Sequence, residues 1–139
     1  MRQAVTALTI TTRGKGLYEF TEDVERWVAE QAAHTGLVTL FIRHTSASLT
    51  VQENADPDVV SDLNAWFGRL VQENDPHFRH TAEGPDDMPA HIRAALTATQ
   101  LSIPVMNGRL ALGTWQGLYL WEHRTRPQTR RLVVSVLGV

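Results

Sequence analysis

The sequence contains no cysteine. Disulfides, thiolate nucleophiles and cysteine-ligated metals are therefore excluded, and any transition-metal site must draw on His, Asp and Glu. Lysine is almost absent too: Lys15 is the only one, and every other basic residue is arginine. That takes lysine off the list of candidate nucleophiles. No apolar run approaches the ~20 residues of a membrane span. The opening Met1-Arg2-Gln3-Ala4-Val5-Thr6 lacks the continuous apolar stretch of a signal peptide. No membrane partner and a cytoplasmic location are expected. Nor is there an excess of charge: the net value of -2 gives no electrostatic case for a nucleic-acid partner.

What remains is an ordinary globular composition, 42% hydrophobic and 20% charged over 139 residues. This predicts one domain spanning 1–139. A chain of this length buries roughly two-thirds of its unfolded surface, enough for a real core.

Residues 2–12 place Ala4, Leu8 and Ile10 on one face, which predicts a half-buried strand. A Gly14-Lys15-Gly16 turn and a short extended piece follow. Thr21 is a candidate N-cap, with Glu22, Asp23 and Glu25 in the positive first turn of a helix. That helix is expected to run on to Gly36 as its C′ stop, with His34 in its last turn. Leu37 to Ile42 predicts a buried strand whose inward face is Val38, Leu40 and Ile42. Alternation carries that face on to His44. Ser48 to Val51 is expected to extend beside it. Asp56-Pro57 opens a second helix with Pro at its preferred first position, and Val60, Leu63, Phe67 and Leu70 form its stripe. Residues 72–88 show no periodicity and many turn formers. His77 and His80 lie there, three apart, a spacing that carries little meaning in an irregular loop. Pro89 starts a third helix with Ile92, Ala95 and Leu96 inward. Asn107-Gly108 predicts a type I′ hairpin turn, and Arg131 to Leu137 a closing strand.

The candidate chemistry gathers where strands end. The stretch His44-Thr45-Ser46-Ala47-Ser48-Leu49-Thr50-Val51-Gln52-Glu53-Asn54-Ala55-Asp56 holds an imidazole, hydroxyls, carboxylates and an amide. Tyr119, Trp121 and His123 share one strand face, while Leu118, Leu120, Glu122 and Arg124 share the other. Asp87 and His91 are four apart at a helix start, so they share a face. Three imidazoles (His44, His91, His123) and one carboxylate suffice for a divalent site with an open position. Arg124, Thr45 and Ser46 suit a phosphate or carboxylate. Gln116, between glycine-flanked turns, could present its amide to a substrate.

Taken together, His44-Thr45-Ser46-Ala47-Ser48-Leu49, Glu53-Asn54-Ala55-Asp56, Asp86-Asp87-Met88-Pro89-Ala90-His91, Asn107-Gly108-Arg109-Leu110, Gly113-Thr114-Trp115-Gln116-Gly117 and Glu122-His123-Arg124 resemble the YjbQ-like family. Its members are described as secondary thiamine-phosphate synthases. The resemblance covers almost the whole chain and is specific in combination. It implies an α+β fold, a mixed or antiparallel β-sheet sandwich with three helices, assembled as a homotrimer with its pocket near a subunit boundary. It implies a divalent metal, zinc or magnesium, on His44, His91 and His123 with Asp87 nearby. It implies a small phosphorylated metabolite as partner: hydroxymethylpyrimidine diphosphate, joined to thiazole phosphate with release of diphosphate. In that chemistry Thr45, Ser46 and Arg124 would neutralise the leaving group. Glu53, Asn54 and Gln116 would fix the pyrimidine ring, and Glu122 would orient His123 or act as acid or base. The same residues would also serve a metal-dependent hydrolase of a phosphorylated or acyl substrate, with Glu53 or Glu122 as base. A non-catalytic metal- or metabolite-binding trimer is the third reading.

Overall fold

The computed structural model describes residues 1–139. In chain order the elements are β1 (Arg2–Thr12), β2 (Gly16–Glu19), α1 (Thr21–Glu30), β3 (Gly36–Ile42), β4 (Ala47–Glu53), α2 (Pro57–Leu70), α3 (Asp87–Leu96), β5 (Gln100–Met106), β6 (Arg109–Leu110), β7 (Gln116–Glu122) and β8 (Gln128–Gly138). They form a five-stranded sheet, β1-β8-β3-β5-β6, and a three-stranded sheet, β2-β7-β4. Every strand pair is antiparallel. The fold is α+β with three helices. No helix is long and apolar enough to cross a membrane.

The expected alternation in β3 holds. Val38, Leu40 and Ile42 are buried, and across the β8 register they meet Val136, Val134 and Leu132, which are buried as well. Leu118 and Leu120 of β7 and Leu49 of β4 enter the same core, so the two sheets share it. Each of these fully buried leucines contributes about 1.5–3 kcal/mol of transfer free energy. The opposite face of β7 turns to α2: Trp121 meets Phe67 edge-on at 4.8 Å between ring centroids. A second, smaller cluster of Phe67, Val71 and Trp121 forms there.

Five expectations change. The first helix ends at Glu30, because Ala32 adopts φ 57 and turns the chain early; His34 lies beyond it, its N–H bonded to the Val139 carbonyl. Thr21 is not the cap but the first helical residue: its Oγ1 donates to Glu19 and accepts from the Leu118 N–H, tying α1 to β7. β4 does not pair with β3 but crosses to the other sheet, beside β7. In α3 the inward residues are Ala90, Arg93 and Ala94, while Ala95 and Leu96 face out. In α2 only Phe67 of the expected stripe is fully buried, and Leu70 is 54% exposed. The Asp56-Pro57 start stands, with Asp56 Oδ1 accepting the Asp58 N–H at 2.9 Å. So does the Asn107-Gly108 turn, both residues at positive φ.

Candidate metal centre

The segment before α3 turns back on itself at Gly84, whose φ of +105° is open to glycine and strained for other residues. The Gly84 N–H bonds to the Thr81 carbonyl, and the Asp87 N–H bonds to that of Gly84. This turn returns His80 to the first residue of the helix. His80 Nε2 lies 2.5 Å from Asp87 Oδ2, and His91 Nε2, one helical turn on, lies 3.2 Å from the same oxygen. The two imidazoles stand edge to face at 5.2 Å. Glu83 completes the group at 3.3 Å from His80. One ligand atom from each of His80, Glu83, Asp87 and His91 falls within 4.8 Å of all the others.

Arg124 holds this group from behind. Its Nη1 donates to Asp87 Oδ1 at 2.6 Å, its Nε to Asp86 Oδ2 at 2.9 Å, and its Nη2 to the Glu83 carbonyl. Burial pushes the Asp87 carboxyl up, but the His80 hydrogen bond and the Arg124 charge outweigh it and hold the group ionised. Burial likewise opposes, and the Thr125 N–H and Arg124 overcome, the ionisation of Asp86. The hydrogen bond that His80 donates to Asp87 raises the His80 pKa above its ordinary 6.5. Asp87 therefore presents Oδ2 to two imidazoles while Oδ1 is fixed by a guanidinium, the arrangement by which outer partners orient a ligating carboxylate.

Of the four metal ligands expected from the sequence, Asp87 and His91 come together here; His44 and His123 lie elsewhere. His123 continues the Tyr119–Trp121 face of β7, so it packs under α2, with Phe67 and Trp121 at 5.9 and 5.8 Å. Its Nε2 shares a hydrogen bond with Ser48 Oγ at 2.8 Å. Burial, then the Arg93 and Arg130 charges, push its pKa down to about 3. His44 uses Nε2 to accept the Arg131 N–H, and burial followed by the Arg130 charge lowers its pKa.

Glu122 is not beside His123 in any hydrogen bond. It is 1% exposed and accepts from Thr12 Oγ1, Arg130 Nε, Arg130 Nη2 and the Arg124 N–H. Both of its oxygens are thereby committed to a buried ion pair with Arg130. Ser46 Oγ accepts from Arg130 as well, and Thr45 is exposed. Glu53 accepts the Ala55 N–H, Asn54 donates to the Gln116 carbonyl, and Gln116 accepts the Gly113 N–H. These three belong to one polar cluster at the far end of β4 and β7 from His44 and His123.

His80 could be named in the sequence as a chelating partner of His77, at a spacing that carries little meaning in an irregular loop, whereas nothing in the sequence marks Glu83. The Asp87–His91 pair was the usable signal, since a carboxylate and an imidazole on one helix face need only one more ligand from the preceding loop. Gly84 marks where that loop can double back.

Residues 6–139 match the profile of the family described as UPF0047 protein YjbQ-like. The UPF0047 protein sll1880 of Synechocystis is 55% identical over 137 residues, covering 99% of this chain and 93% of that protein. YjbQ of Escherichia coli is 39% identical over 132 residues, covering 94% of this chain and 95% of its own. Among solved structures, the conserved hypothetical protein TT1486 from Thermus thermophilus matches with a TM-score of 0.85 and 38% identity, over 95% of this chain and 99% of that one. An uncharacterised YjbQ/UPF0047 family protein from Clostridium acetobutylicum matches with a TM-score of 0.88 and 32% identity, over 95% of this chain and 99% of its own.

Proposed function

This chain belongs to the YjbQ-like UPF0047 family, and from that premise we propose that it is a metal-dependent transferase, a secondary thiamine-phosphate synthase. In the proposed reaction the methylene carbon of hydroxymethylpyrimidine diphosphate loses diphosphate together with the C–O bonding pair. The thiazole phosphate nitrogen supplies its lone pair to that carbon, and thiamine phosphate results. No proton need be removed.

The observation that carries the reading is the convergence of His80, Glu83, Asp87 and His91 within 4.8 Å. Two imidazoles beside two carboxylates fit a divalent ion, and the imidazoles favour zinc over magnesium. An ion held by His80, Asp87 and His91, with Glu83 at its edge, would stabilise the negative charge that develops on diphosphate. Arg124 serves this arrangement by fixing Asp87, and its guanidinium is already engaged by three acceptors. The half-exposed side of His80, 43% of its side-chain surface, is the open approach for substrate. Glu53, Asn54 and Gln116 remain the proposed ring-binding residues, from a neighbouring subunit where the trimer brings their cluster to the metal. The homotrimer is part of the same proposal: Trp66, Leu70 and Leu96 are 54%, 54% and 61% exposed, apolar surface that a subunit contact would cover.

Zinc-loaded protein incubated with both substrates should form thiamine phosphate and diphosphate in equal amounts, and His91→Ala should form neither. Release of phosphate from simple monoesters without condensation would replace the synthase with the hydrolase reading.

A further inference from the structure

A cavity of about 150 Å³ lies where α2, α3, the end of β7 and the β1–β2 turn meet. Arg93 reaches into its wall from α3. The side chain is 6% exposed and makes no ion pair. Its Nη2 donates to the Val71 carbonyl at 2.6 Å, closing the end of α2. Its Nε has no partner, and it is the one buried side-chain polar atom of the protein left so. A buried donor without an acceptor is costly, about 1–3 kcal/mol and more when charged. Native folds keep few, each with a reason.

The other walls add polar atoms that are open to solvent and have no protein partner. Asn64 uses Oδ1 to accept Trp121 Nε1 at 3.0 Å, and its Nδ2 has no protein partner. His123 commits Nε2 to Ser48, and its Nδ1 has none. Nδ1 is a donor in the tautomer in which Ser48 donates to Nε2. Lys15 stands at the rim, paired with Glu73 at 2.8 Å, both side chains about a third exposed. The acidic wall residue, Glu122, is saturated by Arg130 and its neighbours. The unmet donors around the cavity are Arg93 Nε and Asn64 Nδ2, joined by His123 Nδ1 in that tautomer; one of them is on a cation, and Lys15, paired with Glu73, adds a second cation at the rim. The volume is well under the ~300–1,000 Å³ of pockets for drug-sized ligands, so the complement is one small group.

We propose that this cavity binds a phosphate group, either free phosphate or the terminal phosphate of a small metabolite, on Arg93, Lys15, Asn64 and His123. The site is separate from the candidate metal centre. His91 and Arg93 are two apart on α3 and therefore face opposite ways. Glu73 is the carboxylate that the incoming anion displaces from Lys15.

The test is a phosphate titration followed by the Arg93 Nε–H resonance, in chelator, with chloride at equal ionic strength as control. A saturable shift with phosphate alone is expected. Lys15→Ala should weaken binding about tenfold, the loss of one charge-assisted hydrogen bond, and Glu73→Gln should tighten it. Gly68→Met should abolish it, since a Cβ at Gly68 meets no atom within 4 Å and the longer side chain can enter the space. Equal affinity for methyl phosphate identifies a metabolite's terminal group, and exclusion of the ester identifies free phosphate; both support the site. A response no larger than that to chloride overturns it. So does binding unchanged in both Lys15→Ala and Gly68→Met. Binding that vanishes with chelator assigns the anion to the metal centre and overturns the separate site, whereas failure of the metal reading leaves this titration unaffected.

Discussion

His123 should make the protein acid-labile by a calculable amount. In the native state its pKa is about 3, whereas an exposed histidine sits near 6.5. As pH falls below about 6.5 the unfolded chain takes up a proton that the native chain refuses. Stability is therefore complete above that value and is lost progressively toward the native pKa. At 1.36 kcal/mol per pH unit, the loss at pH 5 is about 2 kcal/mol, a sizeable share of a typical ~5–15 kcal/mol domain stability. The comparison is urea unfolding of wild type and His123→Gln at pH 7 and pH 5, in phosphate-free buffer with chelator. Glutamine retains a group able to bond Ser48 Oγ but does not titrate. Wild type should lose about 2 kcal/mol more than the variant between the two pH values. Asp86 and Asp87, held below the usual carboxylate range, also cost stability once pH falls toward their native values, but equally in both proteins. Parallel pH dependences would refute a buried neutral His123.

Glu122→Gln should destabilise by about 3–5 kcal/mol in urea melts, because it strands Arg130, only 4% exposed, with a buried and uncompensated charge. Zinc affinity should rise with pH through a midpoint above 6.5, since Asp87 holds the proton on His80 beyond its ordinary range and the metal must displace it. In His80→Ala the overall affinity should fall, as read by competition with a metal indicator.

The sheets were legible because their signals are local. Val38, Leu40 and Ile42 alternate, Asn107-Gly108 supplies its own turn, and Asp56-Pro57 caps and starts a helix without help from elsewhere. Pairing was not local. β4 crosses to β7 because Leu49 and Leu120 meet in the shared core, a contact between segments far apart in sequence. The early end of α1 hangs on a positive φ at Ala32, a residue type that gives no warning of one. At the candidate site the Asp87–His91 pair was visible through helical periodicity. His80 could be named but not placed, because an aperiodic loop gives its residues no address until Gly84 reverses the chain. His123 misleads for the opposite reason: it ends a strand among polar neighbours, yet its face of β7 is the one that α2 covers. Glu122 misleads likewise, its partner Arg130 lying on β8.

His80, Glu83, Asp87 and His91 are the proposed metal centre. Metal content of protein purified without an affinity tag tests it most directly, in wild type, His91→Ala, His44→Ala and His123→Gln. Wild type, His44→Ala and His123→Gln should carry near-stoichiometric divalent metal, and His91→Ala none. Metal retained by His91→Ala but lost from His44→Ala and His123→Gln would contradict it and move the centre to the strand ends.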